Sequence, residues 1–330
     1  MKLTDFGYDL PQDLIAQYPL EKRAEARLMV LDRGEEKIRH CGFNQITDYV
    51  EKSDVLVLNN TRVFKARMFG HKETGGKVDI LLVREIEDGL WEAMISHAKR
   101  TRKNTRIFLE SDVYATIVDK KGTRCYLEFN VPAKNVISQC GKVPLPHYIK
   151  RDVIESDEEY YQSVFAKKQG SIAAPTAGLH FTAQILDTIR AHGTIIAEIT
   201  LHIGPGTFKP IRTENVAAHK MEAEYFEIPD KTIQTIKDAK RIIGVGTSVC
   251  RAIETFATTG EASGRADLFI YPGYKFKSIN SLVTNFHLPC STPLLLVCAF
   301  AGTDLVFKAY EEAIEKKYRF LSYGDAMMIV

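Results

Sequence analysis

The segments VDILLV (residues 78–83), LWEAMI (90–95), VYATIV (113–118) and CYLEFN (125–130) alternate apolar and polar positions with a period of two. Successive side chains of a strand point to opposite faces, so each segment has one face to bury and one to leave in water. Glycine and charged turns split them at short intervals, the pattern of a small antiparallel barrel or sandwich. That texture holds from about residue 66 to residue 148. Beyond residue 171 it gives way to strands alternating with helices. Residues 194–201, 241–245, 267–271 and 281–284 read as strands, and 231–240, 251–257 and 304–317 as helices, which together make an α/β layer. The earlier strands 28–31 and 55–58 join that layer, so the β unit is an insertion. The expected fold class is α/β in two domains. Residues 1–65 and 149–330 form a discontinuous body with a mixed sheet, and 66–148 form the inserted unit.

Composition narrows the function classes. The chain has 330 residues, 45% hydrophobic and 26% charged, which is the balance of a globular protein with ample length to bury a core. A net charge of +2 is far from that of a protein that coats nucleic acid, so any RNA surface must be local. The six cysteines form no CxxC pair and no cluster with histidine, which fits free thiols in a reducing cytoplasm and no metal site. The N-terminal residues lack a signal-peptide core. The most apolar run, 293–301, is about half of the ~20 residues that a spanning helix needs. With Thr292 as N-cap and Pro293 at the first helical position it reads as a buried core helix, and no membrane is expected.

APTAGLHFT (174–182) combines an irregular backbone at Pro175 and Gly178 with the polar groups Thr176, His180 and Thr182. Thr182 opens a helical pattern as its N-cap, and a loop feeding a helix start suits an anionic ligand group. Taken alone, the nine residues read as a tight turn with a capping threonine and a core histidine. Among cofactor signatures, IIGVGTSV (242–249) begins like a dinucleotide turn, but Val249 stands where the third glycine belongs. The glycine-lysine phosphate loop, HExxH and GxSxG are absent too.

The strings YPLEKR (18–23), VLNNTRVFKAR (57–67), KVPLPHYIKR (142–151), APTAGLHFT, LHIGPGTFKP (201–210), IYPGYKF (270–276), VTNFHLPCSTP (283–293) and YRFLSYGDAMMI (318–329) occur in an order and spacing that resemble the S-adenosylmethionine:tRNA ribosyltransferase-isomerase family of queuosine biosynthesis. The resemblance runs from end to end. It implies an α/β body with an inserted antiparallel β-barrel. It also implies an enzyme that moves the ribosyl part of S-adenosylmethionine onto 7-aminomethyl-7-deazaguanine in tRNA, giving epoxyqueuosine and releasing adenine and methionine. S-adenosylmethionine is then a consumed substrate, with no cofactor, and the enzyme is expected to be a cytoplasmic monomer. An RNA methyltransferase using the same sulfonium, or an inactive tRNA-binding descendant, are the alternatives.

Within that reading His180, His202 and His287 are the proton-transfer candidates. His202 and His287 each follow an apolar strand, where α/β sheets hold ligands. Arg62, Arg251, Thr176 and Thr247 are candidates for the methionine carboxylate and the ribose. Asp325 and Glu224 are candidates for the ammonium or sulfonium, with Asp325 counted among the catalytic residues and Tyr323 set beside the ligand. Phe181, Phe286 and Tyr323 could stack on the acceptor base. Lys99, Arg100, Arg102, Lys103 and Arg106 lie in the inserted unit, where a basic hairpin could grip RNA phosphates. The chain departs from the family at Asn60 (usually Asp), Lys65 (usually Pro), His147 (usually Pro), Glu222 (usually a second His) and GTSVCR for GTTSVR. Asn60 cannot accept a proton, which excludes a catalytic base there.

Overall fold

The structure, a computed structural model, describes residues 1–110, 112–208 and 210–330. The body begins with the hairpin β1 (Arg27–Asp32) and β2 (Lys37–Gly42), followed by β3 (Val55–Asn59) and the short β4 (Thr61–Val63). The inserted strands are β5 (Arg67–Lys72), β6 (Lys77–Glu87), β7 (Leu90–Ile95), β8 (Arg106–Phe108), β9 (Tyr114–Lys121) and β10 (Arg124–Phe129). They close into an antiparallel barrel in the order β10-β7-β6-β5-β8-β9. The period-two pattern explains the closure: Val78, Ile80, Leu82, Ile117 and Leu127 point inward and are buried, while their neighbours face out. Helix α1 (Ala133–Cys140) packs Val136 on the barrel core, and the one-turn α2 (Asp157–Tyr160) follows.

The chain returns to the body through β11 (Lys168–Ser171), which pairs with β4. Then come α3 (Ala183–Ala191), β12 (Ile195–Leu201), β13 (Glu224–Glu227), α4 (Asp230–Lys237), β14 (Ile242–Val245), α5 (Thr247–Thr259) and β15 (Ser263–Ala266). The last elements are β16 (Ser281–Asn285), α6 (Thr292–Ala301), α7 (Thr303–Glu315) and β17 (Ala326–Ile329). The nine-stranded sheet runs β15-β13-β12-β3-β14-β16-β17-β1-β2. Its centre, β12-β3-β14-β16, is parallel, and antiparallel pairings flank it, so the sheet is mixed. Strands β3, β14 and β16 are buried along their whole length, as expected of strands covered on both faces. Two apolar layers cover those faces, one with α5 and α6, the other with α3 and Phe43.

Three expectations need correction. Residues 267–271 are irregular; the strand is β15, just upstream, whose sequence SGRA carries no strand signature. Helix α6 is capped by Ser291, whose side chain accepts from the Leu294 N–H, and Thr292 is already helical. The basic run does not form a hairpin. Strands β7 and β8 are separated in the barrel by β6 and β5, so the run crosses the barrel end, anchored by buried Thr101 and by Lys120 Nζ donating to the Ala98 and Thr101 carbonyls. Among the described residues no single helix is long and apolar enough to cross a membrane.

Candidate active site

Parallel strands present their carboxyl ends together, and there a cavity of about 520 Å³ opens beyond β14 and β16. Gly246 ends β14 at φ +94, a conformation that side chains rarely tolerate, and its N–H donates to the Val283 carbonyl at 2.7 Å. The turn aims the first turn of α5 at the cavity, so Gly246, Thr247 and Ser248 line it without a side-chain cap on the helix. Free N–H groups and the helix dipole make this end attractive to an anion. Thr176, Arg251 and His287 line the same cavity, so that with Thr247 four of the predicted catalytic and binding residues meet there.

His287 is fixed through its backbone. Its N–H donates to the Tyr310 hydroxyl at 3.0 Å, and its carbonyl accepts from the Tyr8 hydroxyl. On the ring, Nε2 lies 2.8 Å from Thr284 Oγ1. Burial pushes its pKa down to about 3, so the ring is neutral at physiological pH. The imidazole is tethered at one nitrogen at the cavity wall, and because burial disfavours its protonated form it is a weak base, able to take a proton only from a group that the ligand itself acidifies.

His180 is placed otherwise. It is 5% exposed, packs 5.0 Å from the Phe43 ring, and is absent from the cavity wall. Its Nε2 lies 3.0 Å from Asn285 Nδ2, which also faces the carbonyls of Leu321 and Asp325 at 3.3 Å each. An amide nitrogen only donates, so Nε2 is the acceptor and the ring proton sits on Nδ1. Burial, with Arg23 and Arg319 nearby, lowers its pKa to about 3. His180 therefore holds Asn285 in place. Asn285, which does line the cavity, was passed over in the sequence although it stands between Thr284 and Phe286 in VTNFHLPCSTP.

Several other candidates prove to be tied into the framework. Asp325 is 1% exposed; its carboxylate accepts from Arg27 N (2.9 Å), Nε (3.1 Å) and Nη2 (2.9 Å) and from Arg319 N (2.8 Å), which fastens the C-terminal turn to β1. Tyr323 donates to Asp157 Oδ1 at 2.8 Å, and Arg151 holds the same carboxylate through two bonds of 2.7 Å. Glu224 and Arg251 pair with each other at 2.5 Å; Glu224 also accepts from Gly204 N, and Arg251 donates to the Ala266 and Leu268 carbonyls. The guanidinium is thus spent on the wall it belongs to. His202 Nδ1 lies 2.8 Å from Thr61 Oγ1, and its ring stacks on Tyr225. A Cβ on Gly170 would come within 2.6 Å of the ring, so Gly170 packs closely on His202, which is partly exposed and lies apart from the cavity. Arg62 is exposed in a separate cleft between barrel and body. Phe181 is a fully buried core residue away from the cavity, whereas Phe286, buried too, forms part of the cavity lining.

The other residues singled out in the sequence also find their places. Asn60 donates to Glu198 and accepts from Thr200 within the sheet. Lys65 pairs with Glu158 at 2.6 Å, and Glu222 accepts from Arg124 of β10 at 2.7 Å, so a residue of the body meets the barrel. His147 is exposed at the cavity rim. Lys99, Arg100, Arg102, Lys103 and Arg106 are all exposed on the barrel. Lys209 of LHIGPGTFKP is outside the described residues.

Comparison with known proteins agrees over the whole chain. A family model described as "Queuosine biosynthesis protein" matches residues 3–329. A protein from Sulfurihydrogenibium sp. (strain YO3AOP1), named S-adenosylmethionine:tRNA ribosyltransferase-isomerase, is 48% identical over 336 residues, covering 100% of both chains. A protein of the same name from Thermotoga maritima is 43% identical over 339 residues, again covering 100% of both. A crystal structure of S-adenosylmethionine tRNA ribosyltransferase from Thermotoga maritima aligns with a TM-score of 0.58 and 33% identity, covering 99% of this chain and 100% of that one.

Proposed function

The chain belongs to the queuosine biosynthesis family of S-adenosylmethionine:tRNA ribosyltransferase-isomerases, and from that premise we propose how it works. The enzyme transfers the ribosyl moiety of S-adenosylmethionine to 7-aminomethyl-7-deazaguanine in tRNA and isomerises it, releasing adenine and methionine. The observation that carries the site assignment is the single cavity in which Thr176, Thr247, Arg251 and His287 converge at the ends of the parallel strands.

The sulfonium acidifies the adjacent C5′ hydrogens, so removal of one proton leaves an ylide. Its electrons open the ribose and expel adenine. The amine of the modified base then attacks the unsaturated sulfonium, and epoxide closure expels methionine. His287 is the base in this scheme, because it combines cavity access with a neutral ring. The first turn of α5 receives the methionine carboxylate, with Thr247 beside it, and Thr176 faces the ribose. Arg251 supports this wall through Glu224 rather than clamping the carboxylate. The largely apolar lining, with Phe269, Ile270 and Leu288, keeps water from the reactive intermediates.

S-adenosylmethionine is consumed, and no further cofactor takes part. Residues 66–148 act as the inserted unit that meets tRNA, with Lys99, Arg100, Arg102, Lys103 and Arg106 against its phosphates. A cytoplasmic monomer completes the proposal. The methyltransferase and inactive-homologue readings are not favoured, given names and family that agree from end to end. The test is incubation with S-adenosylmethionine and tRNA carrying the aminomethyl base. Free adenine and a heavier nucleoside are expected; S-adenosylhomocysteine, or no product from folded protein, would overturn the assignment.

A further inference from the structure

One buried polar atom at the cavity wall has no partner. Asn285 is 1% exposed, and while its Nδ2 is held by His180 Nε2 and two carbonyls, its Oδ1 accepts no hydrogen bond among the described residues. The orientation is unambiguous on chemical grounds, since the reverse would set an oxygen against two carbonyl oxygens. A buried acceptor left unmade is costly, and of the unpartnered buried side-chain atoms among the described residues this is the one on a residue that lines the cavity, where a ligand can bring a donor.

The location narrows the donor. Strands β14 and β16 are parallel neighbours with Val245 opposite Val283, so Thr247 and Asn285 each stand two residues beyond a paired position. Neighbouring strands are roughly 5 Å apart. Asn285 and the first turn of α5 thus border the same cavity at the carboxyl ends of two neighbouring strands. A ligand whose carboxylate occupies that turn presents the groups on its α-carbon to the cavity wall that Asn285 lines. In an amino acid one of these groups is an ammonium, which donates and never accepts.

We propose that Asn285 is a substrate-binding residue whose Oδ1 accepts from the α-ammonium of the methionine moiety, with His180 as the positioning residue that fixes its amide. The assignment rests on the reading of this cavity as the S-adenosylmethionine site. Two residues that sequence motifs alone do not separate thereby acquire different tasks: Asn285 touches the ligand, and His180 acts through it.

The experiment is a calorimetric titration of the full chain, without RNA, using S-adenosylmethionine and the analogue in which hydrogen replaces the α-amino group. Wild type is expected to prefer S-adenosylmethionine by roughly tenfold to hundredfold, the scale of a hydrogen bond to a charged group. Asn285→Ala should shrink that preference to less than about threefold by removing the acceptor. His180→Gln, whose side-chain oxygen can still accept from Nδ2, should keep the preference, while His180→Leu should reduce it. Equal affinity of wild type for both ligands overturns the proposal, and so does an undiminished preference in folded Asn285→Ala. If Asn285→Ala does not fold, the wild-type comparison and the two His180 variants decide. Failure of wild type to bind either ligand would instead strike the reading of the cavity itself.

Discussion

Acidification should expose His180 as a buried neutral ring. Its pKa falls from 6.5 to about 3, chiefly because burial disfavours the charged form. Above pH 6.5 the ring is neutral in both folded and unfolded chains and contributes nothing to the pH dependence. Below it the unfolded chain takes up a proton that the folded chain refuses until about pH 3, so stability falls through that window. At about pH 5 the unfolded state is favoured by roughly 1.5 units, or about 2 kcal/mol, from this residue alone. Carboxylates and other histidines titrate as well, so the comparison needs a variant that differs only here. His180→Gln retains an acceptor for Asn285 Nδ2 and carries no titrating group. Urea unfolding at about pH 7.5 and about pH 5 should show wild type losing about 2 kcal/mol more than His180→Gln. Equal losses, to within about 0.5 kcal/mol, would mean that His180 is not held neutral, and the tautomer argument for Asn285 would fall with it.

His287→Ala should lower adenine release by roughly 10²–10⁴-fold, the usual contribution of a general base, without loss of the fold; single-turnover chromatography of adenine checks this, and near-wild-type release would remove His287 from the mechanism. Reversing Lys99, Arg100, Arg102 and Lys103 to Glu should weaken tRNA binding and flatten its salt dependence by about one unit of slope per lost phosphate contact. The control is the same reversal at exposed Lys316 and Lys317; if filter binding shows equal effects, the RNA surface belongs elsewhere. Asp325→Ala leaves the Arg27 guanidinium and two backbone N–H groups without their carboxylate, and should cost about 3–5 kcal/mol in denaturant unfolding. A loss under about 1 kcal/mol would contradict its role as the C-terminal anchor.

The architecture was readable wherever periodicity reports burial. Alternation at Val78, Ile80 and Leu82 marks the inward face of the barrel, and the unbroken apolar run of β3 is that of a strand covered on both sides, whereas β16, with Ser281, Thr284 and Asn285, is equally buried without such a run. The strand assigned to residues 267–271 failed because those apolar residues pack irregularly against the core and the cavity, while β15 pairs through its backbone with β13 and needs no apolar side chains. The site was only half readable. Motif membership identified His180, His287, Tyr323 and Asp325 alike, but a sequence does not say whether a polar group faces a cavity or a neighbouring carbonyl. Asp325 and Tyr323 proved to be bonded to Arg27 and Asp157, contacts separated by 298 and 166 positions in the chain. Asn285 went unnoticed because its distinguishing feature is an absent partner, which is a property of three-dimensional packing.

The fate of the ribose carbons tests the central claim most directly. S-adenosylmethionine labelled in the ribose in one sample, and in the methyl group in another, is incubated with the enzyme and tRNA carrying the aminomethyl base. Ribosyl transfer predicts that the ribose label enters tRNA while the methyl label leaves as methionine, with one adenine freed for each label incorporated. Methyl label in tRNA, or ribose label remaining with adenosine, would contradict the account.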